Sequence, residues 1–128
     1  MKLATFFKTR SGTGFLSTAD KGGKPDIAIY AKPHVIGTRE IALIMRNHLS
    51  YKNIMANPKA AYLFLEDKPG HKGIRLYLTR IGVEKDREKV LSMRKRTTPL
   101  TKGEALTLVY FRVDKCRELA GSKEYVIG

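Results

Sequence analysis

The sequence predicts a mainly β fold: a barrel of six predominantly antiparallel strands with a few short helices. Three observations carry this. Strand-length apolar segments follow one another across turns of Gly, Pro, Asn and Asp instead of alternating with helices, as a doubly wound fold would require. Two of them, 41–46 and 60–65, have no polar face, which suits central or barrel-forming strands. In a third, 74–84, the apolar phase slips, as it does where a bulge bends a strand around a barrel.

The elements follow in order. Residues 3–10 form a short helix with Leu3, Phe6 and Phe7 on one side, stopped by Ser11-Gly12-Thr13-Gly14. Gly14–Ala19 is a strand, and Asp20-Lys21-Gly22-Gly23-Lys24 is a turn whose glycines accept positive φ. Pro25–Ala31 is the second strand, with Ile27, Ile29 and Ala31 on one face, and the pair makes the best hairpin of the chain. The third strand, 41–46, stays apolar until Arg46. Ser50 is placed to N-cap a helix over 51–56, which Asn57-Pro58 closes because the residue before proline avoids the helical region.

The strand 60–65 comes next, then a loop with Pro69, Gly70 and Gly73. In the long strand 74–84, Ile74, Leu76 and Leu78 share one face while Ile81 and Val83 fall on the other; a bulge near Thr79-Arg80 restores the phase. Asp86–Arg96 reads as a charged helix with Val90, Leu91 and Met93, ended by Arg94-Lys95-Arg96, whose cations complement the helix dipole. Leu106–Val113 is the last clear strand, followed by a looser tail.

The chain has 128 residues and no linker or repeat, so 1–128 is read as a single domain. No apolar run nears the roughly 18 residues of a membrane span, and no signal-peptide pattern opens the chain, so the expected location is cytoplasmic. A lone cysteine, Cys116, excludes an internal disulfide and reads as a packing residue. The net charge of +13, from 25 Lys and Arg against 12 Asp and Glu, favours an anionic partner without choosing among nucleic acid, an acidic surface and a phosphorylated small molecule. The aromatic residues do not interleave with basic ones as stacking platforms for single strands do. Gly12-Thr13-Gly14 lacks the rest of a dinucleotide fingerprint, and His34, His48 and His71 are not at metal-ligand spacing, so no metal is expected.

One passage does suggest chemistry. A strand ends in Arg46, a short loop follows, and Ser50 opens a helix with Lys52 in its first turn. Helix N-termini favour anions, and cations there oppose the dipole unless an anion joins them. Arg46, Ser50 and Lys52 would together hold a phosphate monoester through bidentate, hydroxyl and point-charge contacts. The alternative is that Ser50 caps the helix and the cations are solvated.

The order of these elements resembles the pyridoxamine 5′-phosphate oxidase-like, FMN-binding split-barrel family. The likeness covers roughly 14–113 and rests on Phe15-Leu16-Ser17-Thr18-Ala19-Asp20 before the glycine turn, Pro25–Tyr30, Ile44-Met45-Arg46, Leu49–Ile54, Asn57–Phe64 and Arg75–Glu84. The resemblance implies FMN in a groove between the two subunits of a homodimer. Ile29, Tyr30 and Ala31 would face the ring, partly through backbone groups; Met45, Arg46 and Asn47 would follow the ribityl chain; Ser50 and Lys52 would hold the phosphate. It also implies a flavin-dependent oxidoreductase whose substrate is open. The chain lacks tryptophan and the Arg-His tail of the true oxidases, so it looks like a short flavin-binding relative. No catalytic acid, base or nucleophile can be assigned; Tyr30 and His34 are candidates for substrate contact. The alternatives are a flavin or haem-type binding or electron-transfer module without catalysis, a deazaflavin in place of FMN, and a basic nucleic-acid-binding barrel.

Overall fold

The computed structural model describes residues 1–94 and 103–128. Among them a single antiparallel sheet rolls around one core, with three short helices against it. The strands are β1 (Gly12–Ala19), β2 (Pro25–Tyr30), β3 (His34–Gly37), β4 (Glu40–Arg46), β5 (Lys59–Glu66), β6 (Gly73–Glu84), β7 (Leu106–Glu118) and β8 (Glu124–Tyr125). The helices are α1 (Leu3–Thr9), α2 (Leu49–Ala56) and α3 (Arg87–Ser92). The expected mainly β barrel class is present, with eight strands instead of six. β3 and β8 are the additions. Both are short strands paired on one side only, so neither has the length or two-sided burial that leaves a readable period.

The sheet order is β2-β1-β5-β6-β7-β4-β3, with β8 on β7. β5 is central, as its missing polar face requires. Leu16 of β1 and Ile41, Leu43 and Met45 of β4 lie far apart in this order yet join Tyr62, Phe64, Leu76 and Phe111 in one buried cluster. Only a rolled sheet brings them together. The roll is bent by two irregularities, where Ile81 of β6 and Asp114 of β7 drop out of register. The β6 bulge thus falls just after the expected Thr79-Arg80, but it does not restore the phase: Ile81 and Val83 stay on the outer face, opposite Ile74, Leu76 and Leu78, and are exposed. β7 runs on past Val113, because the Asp114 bulge resets the alternation so that Cys116 points inward opposite Leu76. Burial pushes the Cys116 thiol up to about 11, so it packs as an inert neutral group.

α1 closes one end of the roll. Leu3, Phe6 and Phe7 are buried, and both rings meet Phe64 edge to face at 6.0 and 5.4 Å between centroids. α2 is docked on β1 by Ile54 in the core and by a buried hydrogen bond from Asn53 Nδ2 to Thr18 Oγ1 (3.1 Å). α3 is shorter than the expected Asp86–Arg96. Asp86 caps it by accepting from the backbone N–H of Glu88 and Lys89, and it ends at Ser92. Arg94 is therefore not the end of a helix, and Lys95 and Arg96 lie outside the described residues. α3 lays Val90 over Ala42, Leu106 and Leu108, which explains why β4 and β7 are apolar on both faces: a second small core lies outside the roll.

The two end strands of the sheet, β2 and β3, are consecutive in the chain, joined by Ala31-Lys32-Pro33, yet do not pair with each other. The barrel is split there. Two contacts pin the corner: the Tyr62 hydroxyl donates to the Ala31 carbonyl (3.0 Å), and Lys32 Nζ donates to the Phe7 carbonyl (2.9 Å). Gly14 makes the first possible, since a Cβ there would collide with the Tyr62 hydroxyl and the Tyr30 carbonyl. Gly14→Ala is expected to cost about 1–3 kcal/mol in denaturant unfolding, as overpacking does. Combined with Tyr62→Phe, it should cost less than the sum of the two single changes.

Candidate functional site

The split borders the candidate site. A groove of about 960 Å³ opens between the unpaired edge of β2 and the end of β4, with α1 at one end and the start of α2 at the other. That volume is in the range of small-molecule sites. Because β2 pairs only with β1, alternate N–H and C=O groups along its other edge are left for a ligand.

At the α2 end, Arg46, His48 and Ser50 line the groove. Ser50 does not cap the helix: α2 begins at Leu49 after an extended His48, and Ser50 sits inside its first turn, buried against the barrel. It shares the groove lining with Tyr30, on which it acts electrostatically. Burial raises the pKa of the Tyr30 phenol, with Asp26 adding to the rise and Ser50 partly opposing it, so Tyr30 is a neutral donor at ordinary pH.

Arg46 is half-exposed and paired with a carboxylate. Its Nη1 lies 3.3 Å from Glu104 Oε1, and the Glu104 carbonyl accepts from Arg87 Nη1 (2.7 Å). The second oxygen, Oε2, is buried with no hydrogen bond among the described residues. This single contact leaves most of the Arg46 guanidinium donors open to the groove. Glu104 was not foreseeable, because it is distant in sequence and follows no readable pattern. Arg94, expected to serve a helix end, lines the groove instead.

Of the other expected residues, Ile29, Tyr30, Ala31 and His34 line the groove. Met45 turns its side chain into the core, so only its backbone is at hand, and Asn47 is exposed beside the groove's end. Lys52 is exposed on α2 and is not part of the lining. The structure thus brings Tyr30, Arg46 and Ser50 together and leaves Lys52 outside. Lys8 and Lys32, at the α1 end, were not expected; no motif marks them, since α1 and the Ala31–Pro33 corner meet only in the fold.

No family model matches the chain, and no curated protein matches it in sequence. Solved structures do. An FMN-binding protein of Syntrophomonas wolfei superposes with a TM-score of 0.72 at 20% identity, over 95% of this chain and 86% of that one. A pyridoxamine 5′-phosphate oxidase-like protein of Lactobacillus delbrueckii gives 0.67 at 21%, over 89% and 88%. HupZ of Group A Streptococcus gives 0.73 at 15%, over 90% of each chain. At these identities the likeness is one of fold, and the fold is the split barrel that the sequence resemblance implied. Among the described residues no helix is long and apolar enough to cross a membrane.

Proposed function

We propose that this chain is an FMN-binding flavoprotein of the pyridoxamine 5′-phosphate oxidase-like kind, acting as a flavin-dependent oxidoreductase. The observation that carries the reading is the pairing of a buried Ser50 hydroxyl and the groove-facing Arg46 at one end of a cleft whose wall is an unpaired strand edge. That donor set fits a phosphorylated flavin. Ser50 and Arg46 would hold the phosphate, and the free backbone groups of β2 at Ile29–Tyr30 would meet the polar edge of the ring. When bound, the flavin supplies hydride or single-electron transfer, and the protein binds, orients and tunes it. Tyr30, kept neutral, donates without carrying charge toward the ring. Lys52 adds only a distant positive charge.

Arg46→Ala should weaken FMN by roughly tenfold and riboflavin hardly at all, since a charge-assisted contact is worth about 1.5–3 kcal/mol and Glu104 already occupies part of the guanidinium. Titration followed by flavin fluorescence measures both ligands. Equal losses, or no uptake of either flavin by the wild type, would overturn the reading.

The groove is open on the β2 side, and a second copy would close it. The outer face of 106–111, apolar in the sequence, is only partly available to a partner, because α3 covers Leu108. The uncovered apolar surface lies instead on β2, where Ile27 and Ile29 are 67% and 71% exposed. It continues through Phe15, paired with Ile29, to Leu63, paired with Phe15, since directly opposed residues share a face. Ile29 borders both this row and the groove, so a two-fold dimer on it would build two equivalent, closed sites. The wild type should sediment as a dimer at micromolar concentration, and Ile27→Lys should shift it toward monomer and weaken FMN in step. A wild-type monomer that keeps FMN tightly bound would contradict the shared site.

A haem-type binding module is the second reading, favoured by His34 and His48 in the groove lining, since imidazole ligates haem iron.

A further inference from the structure

We propose that the α1 end of the groove is a second anion subsite, formed by Lys8 and Lys32, that takes the carboxylate or phosphate of a small organic anion bound beside the flavin. The inference rests on the flavin reading for what fills the other end.

The two ends are well separated. His34 pairs with Ala42 at the start of β4, and Arg46 is four residues further along that strand, about 13 Å at roughly 3.3 Å per residue. Lys32 lies two residues before His34, and Lys8 follows Phe7, whose carbonyl receives the Lys32 ammonium at 2.9 Å. The two lysines therefore converge on the same end from different elements, and both line the groove.

Charge and position argue for an anion there. Arg46 and Ser50 suffice for one phosphate, and Arg46 already has Glu104 as counter-ion. Among the described residues the lining holds a single acid, Asp26, against the cations Lys8, Lys32, Arg46 and Arg94. The Lys32 ammonium spends one of its three donors on the Phe7 carbonyl, which holds it in place and leaves two. Lys8 makes no side-chain hydrogen bond or ion pair among the described residues. A lysine at a helix C-terminus has an ordinary role in meeting the dipole. Here, however, the short α1 would receive two such cations, and the one from outside the helix is already bonded to its last turn. The groove of about 960 Å³ runs from Arg46 to the two lysines, so both ends belong to one cleft.

The test compares benzoate with its uncharged isostere benzamide by calorimetric titration of the dimeric or monomeric protein as purified, once free of flavin and once loaded with FMN. Benzoate should bind at least tenfold tighter than benzamide in both forms, because FMN fills only the Arg46 end. Lys8→Ala, an exposed change that leaves the core intact, should cut that preference several-fold, and Lys8→Ala with Lys32→Ala should abolish it, while Lys8→Arg should retain it. Equal binding of the two probes, a preference that survives the double change, or one that vanishes on FMN loading would overturn the subsite. If the wild type takes up no flavin but shows the lysine-dependent preference, the flavin reading fails and the anion subsite stands.

Discussion

The structure depends on a sheet that rolls far enough to make a core but does not close. Closure would require β2 and β3 to pair, and the three residues between them forbid it. Pro33 has no N–H to give a ladder and holds Lys32 extended, the Ala31 carbonyl is taken by the Tyr62 hydroxyl, and the Lys32 side chain is turned back to α1. The corner is thus tied to the inside of the barrel through Tyr62 and to its end cap through Phe7. What a closed barrel would spend on strand pairing is left as an open strand edge beside a groove, with that corner at one end and the start of α2 at the other.

The electrostatics follow from the same geometry. Exposed lysines and arginines scattered over a surface are cheap and largely screened. Those drawn into a cleft with low-dielectric walls reinforce one another and raise the local potential. The chain balances part of this with a carboxylate that is mostly buried, Glu104, set on the segment entering β7 and held through its backbone by Arg87. Arg46 thus has a counter-ion on one side of its guanidinium, at the end of the groove.

Much of this was legible in the sequence, for identifiable reasons. The β1–β2 hairpin announced itself through alternation and a glycine turn whose Asp20 carboxylate does take the N–H groups of Gly22 and Lys24. The two-faced apolarity of 41–46 and 60–65 marked strands with a neighbour on each side, though the outer face of 60–65 is only half-buried, and a bulge does fall in 74–84, one residue later than expected and without bringing Ile81 and Val83 inward. Arg46 and Ser50 were readable as a pair because a strand end and a helix start put them close by local geometry alone. Residues that reach the groove by long-range packing were not readable: Lys8 arrives on a helix set by Phe6 and Phe7, Glu104 precedes a strand 60 residues away, and Arg94 was hidden in what looked like a helix end. Lys52 shows the converse, since its place in the first turn suggested a ligand contact, whereas α2 turns it to solvent once Asn53 and Ile54 are buried.

The central claim is that this unclosed edge holds a phosphorylated flavin, and the most direct measurement is the identity of the small molecule released when the natively purified protein is denatured. Separation and mass analysis of the supernatant should return FMN in up to equimolar amount, with the protein yellow beforehand. Release of haem or a deazaflavin, or a colourless protein that takes up no FMN on reconstitution, would contradict the account.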